Sequence, residues 1–325
     1  MPTRFSRPLR AASIAASAAT SLLLFTSAAG ADSVPVDLRV VGPTGEVLGD
    51  YTQYTDSVRV KTDKDASCFG EGTEGTGKTV DIKGKTALGA VVDGATAGDR
   101  DLKPVSVTDA FDFGLGLCGI GGEVAPQTGF WYLKTNNVES QVGGDQTKVK
   151  QDDDVTWFLD TDFADAPPAE LELEAPQRVE FETPTQVQVF EYAADGTRTP
   201  AAGVEVTGAS APTGADGTTQ VSLTTTAQTL VAQRAGAITD EARICAATEP
   251  GDCPKQAGTT IGGSSEDDEI EGTKGPDSID AGGGNDEVDA RDGETDTIDC
   301  GGGKKNKVKA DRDDEVAKNC EKVKF

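Results

Sequence analysis

Along most of this chain apolar and polar residues alternate with the two-residue period of half-buried strands. Val36, Leu38 and Val40 open one such segment. Phe130-Trp-Tyr-Leu-Lys134 and Val155-Thr-Trp-Phe-Leu159 predict aromatic strands, with turn signals between them at Gly143-Gly144 and Asp152-Asp153-Asp154. From Leu171 the alternation recurs at spacings of about 8–16 residues. It runs through Leu171/Leu173, Val179/Phe181, Val187/Val189, Val204/Val206, Val221/Leu223 and Leu230–Ala232, with turns at Asp195-Gly196 and Asp216-Gly217. One stretch departs from this rhythm. Thr86–Ala95 predicts a helix with Thr86 as N-cap and Gly94 near the C-cap. Past Gly262 the period changes again: Asp-x-aliphatic recurs about every nine residues, at Asp268/Ile270, Asp277/Ile279, Asp286/Val288 and Asp296/Ile298. The pattern then decays through Asn306/Val308 and Asp314/Val316.

These shifts divide the chain. Residues 1–31 read as an export signal: Arg4, Arg7 and Arg10 form a basic start, Ala11–Phe25 is apolar or small, and Ala29-Gly30-Ala31 suits cleavage. The apolar run is short for a membrane span, and no later run approaches about 18 apolar residues. Residues 32–164 form a first unit and 170–256 a second, joined by the linker Asp165-Ala-Pro-Pro-Ala169. A second linker, Pro254–Thr260, leads into the repeat unit, 257–325.

Charge and cysteines narrow the function. The 325 residues carry 30 basic and 56 acidic side chains, a net −26, which becomes −29 without the three arginines of the signal. Such a chain repels nucleic acid and anionic membranes and attracts cations. Six cysteines behind an export signal imply disulfides, and fifteen pairings are possible in principle. They fall two to a unit, so Cys68–Cys118, Cys245–Cys253 and Cys300–Cys320 are expected, in a secreted protein either released or held at the cell surface. Histidine is absent, which removes Ser–His and Cys–His catalysis and histidine zinc sites. The dense acids sit in the repeat rather than in a paired catalytic arrangement, so no enzyme is expected.

The nine-residue period has a mechanical meaning. One aliphatic residue per repeat builds a core only if repeats stack, bringing Ile270, Ile279, Val288 and Ile298 together in a narrow solenoid. Glycines permit the tight turns between short strands. Each turn offers an Asp carboxylate and backbone carbonyls, the hard oxygen donors that Ca²⁺ takes in sixes to eights. Fourteen acidic residues from Glu266 to Asp299 face only Lys274 and Arg291, so repulsion should hold the segment open without the ion. Gly272–Asp280 and Ala281–Asp289 resemble the haemolysin-type (RTX) repeats, whose pattern G-G-x-G-x-D-x-U-x forms a calcium β-roll. The resemblance implies ions between turns two repeats apart, with Asp268 sharing a site with Asp286 and Asp277 with Asp296. It implies that Gly275 and Gly284 lend carbonyls. Glu266 departs from the pattern in the first repeat, the fourth repeat has an extra residue, and Lys304, Lys305 and Lys307 are placed to neutralise carboxylates in the fifth. One to three ions are expected, with the Cys300–Cys320 stretch as a basic cap.

The first two units carry resemblances too. The Thr86–Ala95 helix, Gly129-Phe-Trp-Tyr-Leu-Lys134 and Val149-Lys-Gln-Asp-Asp-Asp-Val-Thr-Trp-Phe158 resemble the C-terminal domain of transcobalamin-like proteins. That implies a grasp-like α+β fold and makes Trp131 and Tyr132 candidate platforms for a corrinoid-like ligand. The competing expectation is ordinary burial, one facing the core and the other solvent. Pro200-Ala-Ala-Gly-Val-Glu-Val206 and Thr213–Leu223 resemble bacterial immunoglobulin-like repeats, implying a β-sandwich that acts as spacer or adhesive module. Gly72-Thr-Glu-Gly-Thr-Gly-Lys78-Thr79 matches a phosphate-binding loop in spelling, but Val80-Asp-Ile82 continues as a strand where that loop needs a helix. The whole reads as a mainly β, multi-domain, calcium-binding extracellular protein that engages an envelope, glycan or other partner. A secreted small-ligand carrier is the alternative.

Overall fold

A computed structural model describes residues 33–66, 68–96, 102–112, 114–162, 168–224, 226–249, 253 and 256–325. Residues 1–31, expected to be an export signal, and most of the expected first linker lie outside them. The described chain is mainly β, with several sheets and one short helix. No helix among the described residues is long and apolar enough to cross a membrane.

The first segment behaves as its alternation predicts. Val34–Val41 turns Val36, Leu38 and Val40 fully inward. It pairs in parallel with Asp154–Asp160 and antiparallel with Val47–Thr55, while Phe130–Thr135 lies beyond Asp154–Asp160. The helix Ala87–Thr96 packs against this sheet. Thr86 caps it, its Oγ1 accepting from the Gly89 N–H at 2.9 Å. Gly94 does not end the helix; it lies inside, where a Cβ would meet the Tyr51 hydroxyl at 2.8 Å. Close packing, not capping, explains that glycine. The Gly72–Lys78 stretch runs directly into the strand Thr79–Ile82, paired with Val58–Lys61, rather than into a helix.

Trp131 and Tyr132 are both buried, so the expected solvent face is not found. Trp131 joins the first core, whereas Tyr132 packs with Val41, Phe158 and Ile238, the last from the middle of the chain. Ile238 belongs to a separate sheet, so packing of the middle part against the outer face of this strand buries it on both sides.

Residues 168–247 form two sheets around one core. Ala169–Glu174 and Thr185–Tyr192 belong to one sheet, Ala227–Gln233 and Asp240–Ala247 to the other. Leu171, Leu173, Val187, Val189, Leu230 and Ile244 meet between them. A buried ionic network ties this part to the first. Arg39 reaches Glu170 and, at 2.8 Å, Asp240; Lys134 lies 3.8 Å from the other Glu170 oxygen. Asp240 also accepts from the Leu173 N–H at 2.7 Å. Burial pulls the Lys134 ammonium below its usual pKa, and Glu170 opposes that pull.

The repeat does not hang from a linker. Thr260, read as linker, begins a strand, and Thr260–Gly262 pairs in parallel with Val47–Thr55 through Thr52–Ile261 and Gln53–Gly262. One nine-stranded sheet therefore runs from Val138–Glu139 through the first core to Glu315–Val316. Gln53, fully buried, donates to the Gly263 carbonyl at 2.8 Å, and Tyr54 joins the repeat's core. The first unit thus supplies the end cap that a stacked-repeat core requires. All three expected disulfides are present, Cys68–Cys118, Cys245–Cys253 and Cys300–Cys320, and no cysteine is free among the described residues.

Candidate metal centre

The repeat winds as a flattened coil in which successive three-residue strands go alternately to two parallel sheets. Thr260–Gly262, Ser278–Asp280, Thr297–Asp299 and Glu315–Val316 stack on one side. Glu269–Glu271, Glu287–Asp289, Lys307–Lys309 and Lys322–Lys324 stack on the other. Strands in register are therefore two repeats apart. The first six strands send their middle residue inward, and Ile261, Ile270, Ile279, Val288, Ile298 and Val308 are nearly fully buried, whereas Val323 in the last strand is exposed. A second, small residue follows two positions later: Ala281, Ala290, Cys300 and Ala310 also line the core. The single-aliphatic arithmetic missed this, because alanine carries little hydrophobic signal. The Cys300–Cys320 stretch is no separate cap; it forms further turns of the same coil, with its disulfide in the core.

The turns carry the chemistry. On one side the backbone N–H of Asp268 donates to Asp286 Oδ1 at 2.9 Å, and that of Asp286 to Asn306 Oδ1 at 2.8 Å. On the other, Asp277 N–H donates to Asp296 Oδ1 at 2.7 Å, and Asp296 N–H to Asp314 Oδ1 at 3.0 Å. The structure thus brings together the two expected pairs, Asp268 with Asp286 and Asp277 with Asp296, and extends both ladders. All four carboxylates are buried by their neighbours. Gly284 lies in the left-handed region at φ 114°, and a Cβ there would sit 2.2 Å from the Glu266 carbonyl oxygen. A Cβ on Gly275 would come equally close, 2.2 Å, to the Gln256 carbonyl oxygen. Glycine at both places lets the backbones of stacked turns approach closely.

The carboxylates are unequally satisfied. Ser264 donates to Asp268 through its N–H and its hydroxyl, at 2.6 and 3.0 Å. Thr273 does the same for Asp277, at 2.5 and 2.8 Å. These hydroxyls, four residues before each Asp, were legible in the sequence and went unread. Asp286 has no such donor, and its buried Oδ2 lacks a hydrogen-bond partner. Burial raises the Asp286 and Asp296 pKa values to about 7 and that of Asp268 to about 6. Asp277 is raised by burial too, against the donors from Thr259 and Thr273. A buried, partnerless carboxylate oxygen in a glycine-rich turn fits a hard cation. Among the described residues no three acidic, thiol or imidazole side chains converge as a cage, so backbone oxygens must complete any coordination shell. Of the expected lysines, Lys307 does neutralise a carboxylate, but on a strand rather than in the turns. Lys307 pairs with Glu287 and Lys309 with Glu287 and Asp289, all on the strands' outward face, because strand register carries them there.

Residues 262–294 match the family of RTX calcium-binding nonapeptide repeats, in four copies. No curated protein and no solved structure matches the chain. The repeats and the three disulfides are consistent with an extracellular protein. The stacked turns from 262 to 294 are RTX calcium-binding nonapeptide repeats, and such repeats imply that the chain binds Ca²⁺.

Proposed function

We propose that this is an exported, non-enzymatic binding or adhesive protein whose coil is ordered by calcium and held rigidly to a grasp-like α+β domain. An immunoglobulin-like sandwich, residues 170–256, completes the three-domain arrangement. The observation that carries the reading is the pair of turn ladders, one of which contains, at Asp286, a buried carboxylate oxygen with no hydrogen-bond partner. Asp268, Asp277, Asp286 and Asp296 would hold the ions, with carbonyls of the glycine turns, including Gly275 and Gly284. Bound calcium would supply the positive charge that fourteen neighbouring acids lack.

The rigid attachment suits a surface protein that must present its other domains in a fixed orientation. Burial of Trp131 and Tyr132 counts against the carrier alternative, since neither is left to stack on a ligand. The cleft of about 560 Å³ at the junction of the first and middle parts is lined by Gly42, Thr44, Asp160, Glu205 and Arg234, and by neither aromatic. Circular dichroism of the full chain, titrated from chelator to millimolar calcium, tests the reading. A gain of β signal is expected; a spectrum indifferent to calcium would refute it.

A further inference from the structure

We propose that Asn306 ends the calcium array, its side-chain amide taking in its own turn the role that an ion takes in the turn before. The inference rests on the calcium reading above and asks which turns need the ion.

Asn306 follows Asp268 and Asp286 on one ladder. Asp286 and Asn306 accept in the same way: Asp286 Oδ1 takes the Asp268 N–H, and Asn306 Oδ1 takes the Asp286 N–H. The ladder then continues, with Asn306 N–H donating to Glu321 Oε2 at 3.0 Å. Asn306 is completely buried, so its other side-chain atom must be satisfied inside the protein. It is: Nδ2 donates to the Cys300 carbonyl at 3.1 Å and to the Gly302 carbonyl at 2.7 Å. The acceptor role of one atom and the double donor role of the other fix the amide's orientation.

The corresponding atom of Asp286, Oδ2, has no partner. The Asn306 amide is received by the carbonyls of Cys300 and Gly302, which stack in register over Ala281 and Gly283 in the turn of Asp286; the later turn has one more residue before its Asn. An amide N–H₂ facing two carbonyls is attractive, whereas a carboxylate oxygen facing carbonyl oxygens is repulsive. A cation relieves that repulsion by drawing all the oxygens to itself. A turn with Asp therefore requires the ion, and a turn with Asn is complete without it. The neighbouring features point the same way. The Cys300–Cys320 disulfide fastens this turn covalently. Lys307 and Lys309, on the strand that follows, pair with Glu287 and Asp289 of the turn before. The end of the coil is held by means that do not respond to calcium, while its middle is left to the ion.

The test compares the full-length protein with Asn306→Asp and Asn306→Ala, each dialysed against calcium and assayed for bound metal per chain. Asn306→Asp should bind one more ion than the parent and should lose stability in chelator, regaining it with calcium. Asn306→Ala, which removes the amide without adding a carboxylate, should bind the parental number and be less stable with or without the ion. An Asn306→Asp protein that binds the parental number overturns the proposal, as does one that stays unfolded in about 10 mM calcium, well above the working range of extracellular sites. A parent that binds no calcium refutes the calcium reading itself, a separate and distinguishable failure.

Discussion

Replacing Tyr54 with alanine should make the coil harder to order with calcium, although Tyr54 lies some two hundred residues before it. Tyr54 is 7% exposed and sits at the end of the row formed by Ile261, Ile270 and Ile279. Truncating a buried aromatic side chain costs about 3–5 kcal/mol. The hydroxyl contributes little of this, since its contact with the Glu271 N–H is long, 3.4 Å. Where ordering and ion uptake are coupled, lost stability must be supplied by calcium. Each 1.4 kcal/mol is about a tenfold change in an equilibrium constant, so about 3 kcal/mol spread over two ions raises the calcium midpoint about tenfold. Tyr54→Phe keeps the ring and should shift it less than about twofold, within a few tenths of a kcal/mol. The assay is a calcium titration of each full-length protein, followed by far-ultraviolet circular dichroism. A Tyr54→Ala curve that superposes on the parent would show that the first unit does not cap the coil.

Other perturbations follow from the same contacts. In chelator the coil should be more stable near pH 5 than pH 8: Asp286 and Asp296, at about 7, and Asp268, at about 6, bind protons more tightly folded than unfolded. That stabilisation is fullest in acid and disappears as pH rises to about 7, so melting at the two pH values without calcium checks its sign, and a higher melting temperature at pH 8 would contradict it. Asp286→Ala should weaken calcium binding more than Asp313→Ala, because Asp313 is exposed and outside both ladders; isothermal titration showing equal losses would refute the register. Glu170→Gln leaves Arg39 and Lys134 short of charge in a buried network and should cost about 3–5 kcal/mol, measured by denaturant unfolding, with a loss below about 1 kcal/mol contradicting the account. Lys78→Ala should change nothing that nucleotide titration detects, since a strand follows the glycine loop; saturable ATP binding lost in this variant would overturn that view.

Period was the strongest signal in the sequence. The nine-residue spacing located the inward Ile270, Ile279, Val288 and Ile298 and paired Asp268 with Asp286, because a repeating backbone leaves each side chain few places to go. Two-residue alternation found Val34–Val41 and Ala169–Glu174 for the same reason. Asp240–Ala247 went unread, as its inward residues are Ala242, Ile244 and Ala246, two of them too small to stand out. The joints between parts were illegible. Nothing in Val-Leu-Gly-Asp-Tyr-Thr-Gln-Tyr-Thr, residues 47–55, shows that its edge will receive Thr260–Gly262, since pairing across such a distance leaves no local pattern. The charges of Arg39, Lys134, Glu170 and Asp240 look like surface charges until the fold buries them together. Asn306 appeared as decay of the repeat; only its two carbonyl contacts reveal it as a substitute for what the earlier turns require.

The turn carboxylates are proposed to hold calcium. Isothermal titration of the full-length protein, beside a variant carrying Asp286→Asn and Asp296→Asn, tests this most directly. The parent should take up calcium saturably with a midpoint at about 10⁻⁴–10⁻³ M, the range of extracellular calcium modules, and the variant should lose most of that uptake. A parent that takes up no calcium, or a variant that binds as the parent does, would contradict the account.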